Sequence, residues 1–138
     1  MSRFTLAAAL VLGLTATPAL AEEAKAYALD TQGTTTKLKP GAAGQFRLAI
    51  KPAAGHYVSP DAPFKVTLAG EAVSVDKATV ARADLDDPKA KAPSLKVGLK
   101  GAQAGDGKVT ADVQFFLCNE SVCERKTEKV TVAVSVKP

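Results

Sequence analysis

Beyond its first two dozen residues, the chain places apolar side chains at every second position. Phe46, Leu48 and Ile50 stand among Gln45, Arg47 and Lys51; Phe64, Val66 and Leu68 alternate with Lys65 and Thr67; Leu95, Val97 and Leu99 alternate with Lys96 and Lys100. Val109, Ala111, Val113, Phe115 and Leu117 form a longer run, and Val130, Val132, Val134 and Val136 another, with Thr131, Ala133, Ser135 and Lys137 on the opposite face. A period of two, rather than 3.6, is that of strands with one face in a core and one in water. Turn-forming clusters punctuate the runs: KPGAAG at 39–44, KPAAG at 51–55, SPDAP at 59–63, LDDPKAKAP at 85–93 and GAQAGDG at 101–107. The pattern predicts an all-β fold, an antiparallel β-sandwich of about seven or eight short strands. In the segment 70–85, the alanines suit a helical turn as well as a strand.

The first residues follow another rule. MSRFTLAAALVLGLTATPALA joins one arginine, Arg3, to an apolar run from Phe4 to Leu14 and a small-residue site at Ala19-Leu20-Ala21. This is the form of a secretory signal peptide, residues 1–21, with cleavage after Ala21. The run is too short for a membrane-spanning helix and no second run of that kind follows, so the mature chain is expected to be exported, periplasmic or secreted, and not embedded in a membrane. Residues 22–138 match the commonest single-domain size, so one domain and a monomer are expected.

Charge narrows the function classes. The 18 Lys and Arg outnumber 14 Asp and Glu, for a formal net charge of +4. The lysines are scattered rather than clustered, however, and few aromatic residues lie among them to stack on bases, so nucleic acid is not an expected partner.

FFLCNESVCERK, residues 115–126, contains the two cysteines of the chain, Cys118 and Cys123. In an oxidising compartment two cysteines form one intramolecular disulfide. If they face each other as a non-hydrogen-bonded antiparallel pair, their Cα atoms lie roughly 4.5 Å apart, which a disulfide can bridge. Closing so small a ring removes little chain entropy, about 2 kcal/mol against nearly 5 for a loop of about a hundred residues. On spacing alone, a staple that fixes a hairpin's register and a pair that exchanges electrons both remain open. A metal site is disfavoured: His56 is the single histidine, and Met1 leaves with the leader, so soft ligands are too few. His56 and Tyr57 are adjacent at a strand start, so if Tyr57 faces the cysteines His56 faces away. A lone histidine without a nucleophile motif is no hydrolase signature, and no cofactor is expected.

The leader, the strand pattern, IKPAAGHYVSPDAPFKVTL at 50–68 and VTADVQFFLCNESVC at 109–123 together resemble the N-terminal periplasmic domain of the DsbD thiol:disulfide interchange proteins. The resemblance implies an immunoglobulin-like sandwich with a cysteine pair on a hairpin near its C-terminus. That pair accepts electrons from a membrane-anchored, thioredoxin-like domain and passes them to periplasmic oxidoreductases. By position, Cys118 and Cys123 would be the redox pair, Cys123 the one that bonds to the partner, and Tyr57 would line the site. The implied partner is a thioredoxin-like or membrane-bound thiol:disulfide oxidoreductase. The chain departs from the family pattern in having one residue fewer between the cysteines, in Ser59 where a second tyrosine is expected, and in the segment 82–94, which has acidic residues but no aromatic one where the family has an aromatic-bearing cap.

Read locally, Glu120 and Glu124 lie nearest the cysteines and would raise thiol pKa values, with Arg125 and Lys126 opposing them. The alternative to a relay is a non-catalytic exported sandwich module with a structural Cys118–Cys123 disulfide.

Overall fold

The computed structural model describes residues 25–138; the expected leader and its cleavage site lie outside the described residues. In chain order the strands are β1 (Tyr27–Asp30), β2 (Lys37–Leu38), β3 (Ala43–Pro52), β4 (Tyr57–Val58), β5 (Lys65–Glu71), β6 (Val73–Val75), β7 (Thr79–Ala81), β8 (Ser94–Gly101), β9 (Gly105–Cys118) and β10 (Cys123–Val136). A single 3-10 turn, Arg82–Asp84, interrupts them, and no α-helix occurs among the described residues. One sheet has the order β1-β3-β8-β6; the other runs β2-β10-β9-β5-β7, with β4 also paired to β9. All pairs are antiparallel except β2 with β10, which is parallel.

The alternation seen in the sequence becomes the core. Phe46, Leu48 and Ile50 of β3 and Leu95, Val97 and Leu99 of β8 meet Val66 and Leu68 of β5 and Val109, Ala111, Val113, Phe115 and Leu117 of β9, all buried. β10 follows its period only in part. Val134 and Val136 are buried, Val130 and Val132 only half so, and the same inner face continues toward the cysteines as Glu128, Lys126 and Glu124, opposite Val113, Phe115 and Leu117. The inner face of β10 therefore turns from apolar to charged, and the sandwich is open at that end.

Two short elements escaped the sequence reading, β1 and β2, while the strand start expected at Tyr57 is the two-residue β4. Two-residue strands such as β2 and β4 leave no periodic trace. The ambiguous segment resolves into β6, β7 and the 3-10 turn, and it crosses from one sheet to the other at Ala72, whose φ is 62°. The crossing leaves no room beside β9: a Cβ on Gly107 would lie 2.0 Å from the Glu71 carbonyl oxygen, so this position requires glycine.

Candidate redox site

β9 and β10 are each 14 residues long and pair along their whole length, from Gly105 opposite Val136 to Cys118 opposite Cys123. The turn beyond them closes with the Asn119 N–H donating to the Val122 carbonyl, 2.9 Å. The Asn119 side chain completes it, its Oδ1 accepting from the N–H groups of Ser121 (2.8 Å) and Val122 (2.9 Å). An asparagine accepting two backbone donors in this way shapes a tight turn. The cysteines are bonded to each other across the last rung, with a Cα separation of 4.0 Å, short like a non-hydrogen-bonded antiparallel pair.

On the other side of β9, β4 sets Tyr57 opposite Cys118 and Val58 opposite Leu117. Residues directly opposite in a sheet project to the same face. Tyr57, Cys118 and Cys123 thus form one row across three strands on the outer face of the second sheet. The row is asymmetric: Cys118 is only 1% exposed, whereas Cys123 is exposed. The backbone at 91 extends the row's cover, because the Val58 N–H donates to the Lys91 carbonyl (2.9 Å), and the Lys91 ammonium stands 5.4 Å from the centre of the Tyr57 ring. A cation over a ring face is attractive. The segment 82–94, which lacks an aromatic, therefore does reach the site, and it does so with a lysine.

His56 falls on the opposite side, as the alternation requires. It borders a small cavity of about 160 Å³ with Leu117, Val122, Glu124 and Lys126, and its Nδ1 donates to the Ala54 carbonyl at 3.2 Å. Among the described residues no three His, Cys, Asp or Glu side chains gather as metal ligands, and no helix is long and apolar enough to cross a membrane.

The electrostatics correct one expectation. Counting charges by their nearness in sequence set Glu120 and Glu124 against the cysteines, but Glu124 lies on the other face of β10. There it pairs with Lys126 at 2.9 Å, and the Lys126 hydrogen bond followed by its charge holds the Glu124 carboxyl below its ordinary value. On the face of Cys123, the next β10 side chain is Arg125, whose guanidinium donates to Gln114 Oε1 at 3.1 Å. Lys91 lies at the Tyr57 end of the row, and Arg125 occupies the next rung with its guanidinium turned to Gln114. Period two applied from Cys123 would have found Arg125; nothing in the sequence pointed to Lys91, which reaches the row through a loop.

Arg82 is the other residue the sequence reading missed. Its guanidinium donates to the Ala62 carbonyl (2.9 Å from Nη2), to the Ser59 carbonyl and to the Pro88 carbonyl (3.2 Å), and lies 5.7 Å from the centre of the Phe64 ring. It ties the loop after β4 to the loop after the 3-10 turn, and so holds both segments that bring Tyr57 and Lys91 to the disulfide.

No protein-family model and no curated protein matches the chain. Among solved structures, the crystal structure of domains 4 and 5 of the S-layer protein SbsC is similar, with a TM-score of 0.47 and 15% sequence identity. The match covers 79% of this chain and 50% of that one.

Proposed function

We propose that this chain is an exported dithiol/disulfide relay domain that passes electrons between thioredoxin-like partners through Cys118 and Cys123. The observation that carries the reading is the asymmetry of the pair. One sulfur-bearing residue is exposed at the end of a hairpin, the other is covered beside Tyr57, and the hairpin is already closed by its full ladder and by Asn119. The ladder and the Asn119 turn close the hairpin alongside the disulfide, so the bond does not carry that work alone. The resemblance to the DsbD N-terminal domain supports the same residues in the same roles.

The chemistry is thiol–disulfide exchange. A donor thiolate attacks Sγ of Cys123, forming a mixed disulfide, and Cys118 departs with the electron pair of the broken bond and takes up a proton. The donor's second thiolate then attacks the donor's first sulfur, which releases Cys123. The donor is now a disulfide and the pair a dithiol, two electrons and two protons richer. In the second half, the Cys123 thiolate attacks an acceptor's disulfide, and Cys118 resolves the mixed disulfide and restores the original bond. Cys118, which never meets the partner, can stay covered.

The test is trapping. With a thioredoxin-like partner that lacks its resolving cysteine and has its remaining cysteine activated as a mixed disulfide with 2-nitro-5-thiobenzoate, the Cys123 thiolate of Cys118→Ser should displace the thiobenzoate and accumulate a protein–protein mixed disulfide on a non-reducing gel, and Cys123→Ser should give little. Equal trapping by both variants removes the assignment of Cys123, and no trapping by either favours the alternative, a non-catalytic module with a structural disulfide.

A further inference from the structure

A pocket of about 290 Å³ opens on the outer face of the second sheet, next to the cysteine row along the same strands. After the Cys118–Cys123 rung, the next rung on that face is Phe116 opposite Arg125, and the one after it includes Gln114 opposite Lys65. Because β4 pairs with Val58 opposite Leu117 and β5 begins opposite Gln114, the loop between them departs from the sheet and leaves a notch. Pro63 and Phe64 wall it, and Phe116 and Gln114 line it. The wall is fixed, since the Arg82 guanidinium anchors that loop through the Ser59 and Ala62 carbonyls.

Its rim has an unmatched charge. Lysines 25, 51, 77, 108 and 126 lie within ion-pair reach of a carboxylate, and the other cations among the described residues do not. Lys65 and Arg125, both exposed and both at the pocket, have no carboxylate partner among the described residues. The contact of Arg125 with Gln114 leaves its charge uncompensated. An apolar notch with two free cations complements an apolar side chain with acidic neighbours.

We propose that this pocket is a docking subsite for an extended segment of the redox partner, one apolar side chain entering between Phe64 and Phe116 and the adjacent carboxylates meeting Lys65 and Arg125. This rests on the relay reading and adds the partner's chemistry: the segment beside its reactive cysteine is acidic and apolar. Docked so, the partner's sulfur is brought beside Cys123 rather than delivered by random encounter.

The test uses two reduced peptides, Cys-Gly-Phe-Asp-Asp and Cys-Gly-Phe-Lys-Lys, attacking the oxidised protein, each rate divided by that peptide's rate with neutral hydroxyethyl disulfide to remove differences in thiol reactivity. The acidic peptide should be preferred by about 5-fold at low salt, the preference fading toward unity at about 0.5 M salt, and Lys65→Glu should abolish it. Equal normalised rates overturn the docking proposal and leave the relay standing. If neither peptide reacts with the protein, the relay fails, and the pocket is judged by fluorescence anisotropy of labelled, cysteine-free Gly-Phe-Asp-Asp. Saturable binding weakened by Lys65→Glu supports the subsite, and an absence of saturable binding overturns it.

Discussion

Near its end, β9 puts different work on its two faces. The inner face carries Val113, Phe115 and Leu117, all buried, and Phe115 makes a perpendicular ring contact with Tyr27 of the other sheet, centroids 5.1 Å apart. The outer face carries Gln114, Phe116 and Cys118, neighbours of Arg125, the pocket and the disulfide. Both faces share one backbone, but only the inner one joins the two sheets. The fold's stability should therefore depend on the inner residues, and the outer ones should be free to change chemical state.

Truncating the inner face should have the largest effect. Phe115→Ala removes a fully buried ring from between the sheets and is expected to cost about 3–5 kcal/mol, read from urea unfolding. A cost under about 1 kcal/mol would mean that the sheets are held together elsewhere. On the outer face, the double variant Cys118→Ser/Cys123→Ser should lose no more than about 2 kcal/mol in the same titration, the entropy of a small ring. A loss approaching that of Phe115→Ala would erase the distinction between the faces and make the disulfide a structural bond.

The smallest expected effect is at the margin of the inner face, where Glu128 sits opposite Val113. The Tyr27 hydroxyl donates to its carboxylate and Lys25 pairs with it at 2.9 Å. Burial, with the carboxylate's help, pushes the Tyr27 phenol well above its ordinary range, so it remains a donor. These two partners, the Tyr27 hydrogen bond first, hold the Glu128 carboxyl below its ordinary value of 4.5. A depressed carboxylate stabilises the fold above its unfolded pKa, and that contribution is lost as pH falls through the folded value. Glu128→Gln should thus be less stable than wild type by about 1 kcal/mol at pH 7, and by less at pH 3. Thermal unfolding at the two pH values measures the difference; an equal gap at both would remove the ionised carboxylate from the account.

The same division explains what could be read in the sequence. The inner faces were legible because burial selects an apolar residue at every second position of β3, β5, β8 and β9, and that signal survives without any structure. The β10 pattern was legible only from Val130 onward, because the inner positions 124, 126 and 128 look to the open end and are charged. On the outer face, the cysteines were legible from their scarcity and Tyr57 from resemblance, while Lys91 and Arg82 were not. They reach the site from a loop, through a ring face and through backbone carbonyls, and such contacts impose no period on the chain. The misplacement of Glu124 shows the cost of judging a strand by distance along the sequence, when adjacent residues lie on opposite faces.

The reduction potential of the Cys118–Cys123 pair tests the central claim most directly, by equilibrating the protein in glutathione or dithiothreitol buffers and counting alkylated thiols by mass. A relay pair on a face that does not hold the fold together should lie between about −270 and −120 mV, the range of thioredoxin-like oxidoreductases. A potential below about −300 mV, where structural disulfides lie, would contradict the account and leave the bond as a staple.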